Sequence, residues 1–259
     1  MNKVLKYIFL SLCGTLIVFC IACSFVAGKK AYSLLKCERL HVVIKDSLEN
    51  SFVSTSDVKR FLDKEYGKYI GITLDSIDLV QIEKVIDGRS AVLKSHAYVT
   101  KDGTLHIDVT QRKPVVRFQK KDGGFYADSE GYIFPLQSSY ASHVQVIDGA
   151  IPLAANSGYK GGIGNPKERE WFESIMKLVN YMEQSRDWKG KIVQIHITEN
   201  SDIVLIPRKG NEKFIFGQPV DIEDKFYRMG KYYKAIIPEK GQEKYKTVDL
   251  RYRGQIVCR

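Results

Sequence analysis

Between Tyr7 and Gly28 the chain carries 22 consecutive residues without a formal charge, preceded by Lys3 and Lys6 and followed by Lys29 and Lys30. A helix rises 1.5 Å per residue, so a run of this length reaches about 33 Å, against a hydrocarbon core of about 30 Å. Eleven of residues 7–27 are Leu, Ile, Phe or Val. Near the bilayer centre each favours insertion by about 0.3 to 0.6 kcal/mol. The pattern predicts one transmembrane helix over 7–28, a six-residue tail before it and a large extramembrane part after it. Two other readings share the order of parts. A basic start, an apolar core and Ala22-Cys23-Ser24 suit a cleaved signal peptide, and Cys20-Ile21-Ala22-Cys23 loosely suits a lipoprotein motif. The apolar run continues past both sites through Phe25-Val26-Ala27, which favours an uncleaved anchor. Lysines on both flanks leave the orientation unset by charge. A long domain after the helix is compatible with an N-terminus that stays inside.

The 232 residues from Gly28 to Arg259 are enough for one large or two small domains, each with its own core. The net charge is +10, of which Lys3 and Lys6 supply two. The soluble part is therefore basic but carries both signs. That suits a mixed solvated surface, or attraction to an acidic partner or anionic head groups. Of five cysteines, Cys13, Cys20 and Cys23 fall in the apolar run. Cys37 and Cys258 sit at opposite ends of the remainder, so no disulfide framework is expected.

The order of elements is legible in part. Leu40–Ile44 reads as a strand. Ser54-Thr55-Ser56-Asp57 offers several caps for a helix with Val58, Phe61 and Leu62 on one face. Asp78 caps a second, lined by Leu79, Ile82, Val85 and Ile86. Ala91–Val99, a turn at Asp102-Gly103, and the alternation of Leu105, Ile107 and Val109 form a hairpin. The order is β-α-α-β-β. Pro114 marks an edge or a junction. Beyond it come short strands around Phe125–Asp128, Tyr132–Phe134 and Val144–Ile147, then a glycine-rich loop over 156–164. Asn165 and Pro166 start a long amphipathic helix. Ile192–Ile197 and Ile203–Ile206 make another hairpin, and Phe214–Phe216 a further strand. Ile222, Phe226, Met229 and Tyr233 line a last helix, broken before Pro238. In the late strand, Val248, Leu250 and Tyr252 face one way, and Asp249 and Arg251 the other.

Four stretches in this order resemble the FtsQ (DivIB) family of bacterial cell-division proteins, in the style of the Bacteroidetes group. They are Phe52–Val58, Gly103–Arg117, Tyr126–Leu136 and Thr247–Tyr252 with Gly254-Gln255-Ile256-Val257 after it. The resemblance covers nearly the whole chain, anchor included. It implies an α+β fold: a single N-terminal transmembrane helix, a POTRA domain over 37–112 and a mainly antiparallel β domain with packed helices over 113–259. It implies a bitopic scaffold of the inner membrane at the division septum, with its domains in the periplasm and residues 1–6 in the cytoplasm. The implied partners are FtsB/DivIC-like and FtsL-like bitopic proteins, and through them the septal peptidoglycan synthase.

In that family a partner strand adds to the late strand and a partner helix packs near the last long helix. Carried over by motif, Val248, Leu250, Arg251, Tyr252 and Gly254 become partner-binding residues, with Arg251 pairing an acidic group and Tyr252 packing beside it. Lys225 and Phe226 match the family's basic and aromatic helix positions. Read without the resemblance, Val248, Leu250 and Tyr252 alternate as core residues of any half-buried strand would, Phe226 suits the core of its helix, and Arg251 is a solvated charge.

The rival classes are an anchored enzyme of the envelope and a POTRA-bearing chaperone or transport component. His41, His96, His106, His143 and His196 are scattered, without His-x-x-x-His spacing. No Gly-x-Ser-x-Gly elbow occurs, and Gly158–Lys167 lacks the Gly-Lys-Ser/Thr of a phosphate loop. Glu168 and Glu170 suit a helix start better than a catalytic pair. No catalytic residue, metal, cofactor, nucleic acid or small-molecule substrate is therefore assigned. POTRA chaperones carry several repeats or a long barrel, for which this chain has no room. The basic aromatic stretch Phe226–Lys234 has helical spacing, which favours a core stripe with a solvated face over a lipid or nucleic-acid surface.

Overall fold

The computed structural model describes residues 12–24, 35–241 and 243–259. Residues 12–24 are helical (α1), with Leu12, Leu16, Ile17, Val18, Phe19 and Ile21 all exposed. Positions 7–11 and 25–28 of the expected membrane span lie outside the described residues. Among the described residues no helix is long and apolar enough to cross a membrane. The chain divides into two units, Met1–Gln111 and Arg112–Arg259.

In the first unit β1 (Arg39–Ile44), β2 (Val92–Val99) and β3 (Thr104–Gln111) form a sheet of order β1-β3-β2, parallel between β1 and β3 and antiparallel between β3 and β2. Helices α2 (Thr55–Glu65) and α3 (Leu79–Asp87) complete the β-α-α-β-β order. Of the four cap candidates before α2, Ser54 is the one used. Its hydroxyl accepts the Asp57 N–H at 3.1 Å and the Asp57 carboxylate accepts the Ser54 N–H at 3.2 Å, a reciprocal capping box. Asp78 caps α3 through the Gln81 N–H at 2.9 Å. The alternation in β3 buries Leu105, Ile107 and Val109, and Val58 and Leu62 of α2 and Ile82 and Ile86 of α3 are buried in the same unit. Each fully buried aliphatic side chain stabilises by about 1.5 to 3 kcal/mol.

Gln111 has no sequence signal, yet its side chain closes this unit. Its Oε1 accepts the Val53 N–H at 2.8 Å, and its Nε2 donates to the Asn50 carbonyl at 2.8 Å, all in the interior. An apolar replacement orphans two buried backbone groups, each costing about 1 to 3 kcal/mol.

The second unit is built on one ten-stranded sheet of order β13-β12-β11-β10-β9-β7-β4-β5-β6-β8. Its strands are β4 (Pro114–Lys120), β5 (Gly123–Asp128), β6 (Tyr132–Pro135), β7 (Gln145–Gly149), β8 (Gly161–Gly162), β9 (Ile192–Ile197), β10 (Ile203–Pro207), β11 (Lys213–Gly217), β12 (Thr247–Asp249) and β13 (Val257–Cys258). The sheet is mixed: β4–β7, β7–β9 and β11–β12 are parallel and the other joins antiparallel. Helices α4 (Pro166–Gln184) and α5 (Ile222–Lys231) contribute to one core with the sheet, joining Phe172, Leu178, Met182, Phe226 and Met229 to Phe118, Ile195, Leu205, Phe214 and Phe216. Phe226 stacks on Tyr181 at 5.0 Å between ring centroids and lies 5.4 Å from Phe216.

Two expectations are corrected here. The glycine-rich loop contains β8, because Gly161 and Gly162 pair with Ile133 and Tyr132 of β6. The last helix is not broken before Pro238. It passes through a π turn (Tyr232–Ile236) into the short helix α6 (Ile237–Lys240), and the wider turn lies directly ahead of Pro238, which has no N–H to give the ladder.

Gln111→Leu is expected to destabilise the first unit by about 2 to 4 kcal/mol. Urea unfolding of the full-length protein, with hydrogen exchange read at β3, measures this; unchanged exchange there would mean that the two backbone groups find other partners.

Candidate partner-binding site at the sheet edge

The late strand is shorter and better covered than its alternation implies. Only Thr247–Asp249 is strand, held on one side by β11 and on the other by β13. Thr247 N–H donates to the Arg259 carbonyl at 3.0 Å and Arg259 N–H returns the bond at 2.9 Å. The next pair, Val248 with Cys258, is then a non-hydrogen-bonded one, so the Cys258 N–H and C=O point to the open side. The outermost strand of the sheet is therefore β13, not β12.

After Asp249 the chain keeps one more ladder bond, Leu250 N–H to the Ile215 carbonyl at 2.9 Å, and then turns through Arg251–Gly254. Gly254 has φ +70 and no atom within 4 Å of a Cβ position, so the sign of its backbone angle, not crowding, calls for glycine. Arg228 pins this turn from α5. Its Nη1 donates to the Tyr252 carbonyl at 2.9 Å and to the Gln255 carbonyl at 2.6 Å, and its Nε to Asp224 at 2.8 Å. Sequence reading misses Arg228. The i,i+4 spacing from Asp224 was visible, but carbonyl acceptors more than twenty residues away leave no mark in a sequence.

Arg251 is already engaged within the chain. Its Nε and Nη2 fork onto Asp249 at 3.0 and 2.7 Å, and its Nη1 donates at 2.9 Å to Asp202, which precedes β10. The side chain lies across Gly217, where a Cβ would sit 2.7 Å from the Arg251 Cγ. Three of the five guanidinium N–H groups are thereby used and two remain. Tyr252 stands beside it, 49% exposed.

The other residues expected to bind a partner belong to the interior. Val248, Leu250 and Phe226 are fully buried, and Asp249 is buried with them rather than facing outward. The alternation fails at Asp249 because Arg251 folds back over it and takes its carboxylate. Lys225 is buried too, donating to the Gln218 carbonyl at 2.7 Å with its ammonium 4.7 Å from the Phe216 ring. Burial lowers its pKa, and the nearby Arg228 adds to the effect.

The histidines are not all scattered. His41 and His106, register partners in the first unit, bring their Nδ1 atoms to 3.3 Å, and Tyr98 stacks on His106. Among the described residues, however, no three His, Cys, Asp or Glu side chains gather as a metal site.

Electrostatics fix the turn. Hydrogen bonds from Arg251 hold the Asp249 carboxyl below the usual carboxylate range, against the opposing effect of its burial. Asp249 and then Asp202 raise the Arg251 guanidinium in return.

A three-stranded β-α-α-β-β unit is thus followed by a second unit built on a mixed sheet whose last strand, β13, keeps one edge unpaired within the sheet. Residues 35–110 match the POTRA-like domain. Residues 113–259 match the family described as FtsQ/DivIB, C-terminal related. The second match spans more than half of the chain, and the chain belongs to the FtsQ/DivIB family of cell-division proteins. No curated protein matches it in sequence.

Because the folded pKa of Asp249 is depressed, its stabilising contribution is complete above the ordinary carboxylate value, about pH 4, and fades as pH falls through the lower folded value. Asp249→Asn should cost about 1 kcal/mol at neutral pH, a figure held down by the exposure of Arg251. The difference from the parent protein should shrink below about pH 4. Denaturant unfolding across pH reads both; a gap that stays constant into acid would assign the cost to packing instead of charge.

Proposed function

We propose that this protein is a bitopic divisome scaffold. Residues 7–28 anchor it in the cytoplasmic membrane and both domains stand in the periplasm at the division septum. It binds an FtsB/DivIC-like protein together with an FtsL-like one, and through them is linked to the septal peptidoglycan synthase. The observation that carries this reading is the open β13 edge beside the exposed Arg251–Gly254 turn, in the part of the chain that matches FtsQ/DivIB.

The binding chemistry is β-augmentation. A partner strand takes up the outward N–H and C=O of Cys258, and side chains alternate into neighbouring pockets. Tyr252 supplies a large amphipathic anchor of the kind that concentrates binding energy. Arg251, held in place by two aspartates, directs its two remaining N–H groups to an acidic partner side chain. Val248 and Leu250 act from the core by supporting the strand, and Lys225 and Phe226 by seating α5.

Full-length protein in detergent, mixed with the organism's FtsB-like protein and its FtsL-like companion, tests this. Tyr252→Ala and Arg251→Glu should each weaken binding by about tenfold or more, with unchanged circular dichroism. Parent-level binding by both variants would move the site away from this edge. Failure of the parent protein itself to bind the pair would remove the scaffold reading.

A further inference from the structure

The second unit holds a cavity of about 700 Å³ at the opposite end of the β9–β10 hairpin from Arg251. Asp202, which Arg251 grips, precedes β10, whereas Arg208 follows it. At about 3.3 Å per residue the two ends of this strand lie roughly 20 Å apart. The cavity is bounded by the end of α4 and the loop to β9, by the ends of β9 and β10, and by α5 with its π turn.

Its lining is one-sided in charge. Lys191, Arg208, Lys209, Lys231 and Lys234 line it, against the single acid Asp187. The four lysines take part in no ion pair among the described residues, and Arg208 donates to the Gly190 carbonyl at 2.8 Å. Glu212, whose contact with Tyr233 adds to the effect of burial on that hydroxyl, is itself buried.

The apolar side of the lining is aromatic. Trp188 lies 5.1 Å from Phe226 and 6.2 Å from Tyr233, and Tyr181 stacks on Phe226. Lys231 rests its ammonium 5.2 Å from the Tyr227 ring, and Lys191 lies 5.8 Å from Trp188. Tyr227, Lys231 and Lys234 fall at i, i+4 and i+7, one exposed stripe that runs along α5 into its π turn. Gly230 sits inside α5 on this cavity, with nothing within 4 Å of where a Cβ would be. A mid-helix glycine costs about 1 kcal/mol relative to alanine. Here it leaves the helix backbone bare toward the cavity.

We propose that this groove is a second docking site, and that its occupant is an acidic peptide segment of a protein partner carrying an aromatic or aliphatic anchor. The aromatic lining takes the anchor side chain, and Gly230 admits it close to the helix. The cations come from separate walls, the β9–β10 end on one side and α5 on the other, which suits carboxylates spaced along a chain better than a single phosphate. The site is independent of the β13 edge, so either can fail without the other.

The test uses full-length protein in a zwitterionic detergent and a fluorescein-labelled peptide of alternating Glu and Phe, with its Gln-Phe counterpart as control, read by anisotropy. The Glu peptide should bind and weaken as salt rises. Its affinity should fall by about tenfold or more in Lys231→Glu/Lys234→Glu, where exposed charges are reversed, and in Gly230→Phe, which fills the groove without altering charge. Circular dichroism checks both folds. Equal binding of the Gln peptide, or parent-level binding by both variants, overturns the proposal. So does absence of peptide binding alongside groove-dependent capture of phosphatidylglycerol vesicles, which would assign the surface to lipid.

Discussion

Arg228 carries a guanidinium into the interior of the second unit and gives it to two backbone carbonyls, those of Tyr252 and Gln255. Burying such an ion costs several kcal/mol unless its donors are used, and here Asp224 and the two carbonyls use them. The consequence is positional. Residues that leave the sheet after Leu250 have no ladder to follow, and without Arg228 the turn through Gly254 has no fixed relation to α5. With it, the chain is returned to the sheet in the register that pairs Val257 and Cys258 with β12. The outermost strand, and the candidate site on it, depend on one buried charge from a helix.

The same helix separates two surfaces. Its buried side, Phe226, Met229 and Tyr232, belongs to the common core. Lys225 gives its charge to the Gln218 carbonyl ahead of the helix and Arg228 to the late turn, while Tyr227, Lys231 and Lys234 line the groove. A helix with charges on two sides and a stripe of aromatics between them need not end in a single solvated face. On one side the charges are consumed by the fold, and on the other they stay available. This is why Lys225, which the family resemblance would place at an interface, seats the helix in the fold, whereas Lys231 stays exposed on the groove.

Local chemistry was legible wherever a residue acts on its own neighbours. Ser54 with Asp57, Asp78, and Asn165 with Pro166 all act as sequence spacing implies, because a cap reaches only two or three residues. The alternation of β3 and the helical stripe of α4 were equally readable. What escaped was set by distant partners. Gly161-Gly162 becomes strand only because β6 offers it an edge, and Val257-Cys258 only because Arg259 closes a pair with Thr247. The alternation read into residues 248–252 assumed one covered face and one open face. Arg251, folding back over the sheet, removed that distinction for Asp249. Gln111 and Arg228, the two polar side chains that most constrain their units, bond to backbone groups, which carry no residue identity to be read.

Arg251 illustrates how such constraints turn into recognition. A free arginine on a surface must lose much of its rotamer freedom when a partner binds, a cost of about 0.5 to 1.5 kcal/mol for each immobilised side chain. Here Asp249, Asp202 and the bare backbone of Gly217 have already fixed the side chain. Its charge is largely answered within the protein, so an acidic partner group gains less Coulomb energy from it than from an isolated cation. What it meets is a guanidinium with two N–H groups in a set direction. In the proposed complex this residue would therefore add register and discrimination to the affinity that Tyr252 and the strand backbone supply, and a glutamate in its place would turn the contact into repulsion.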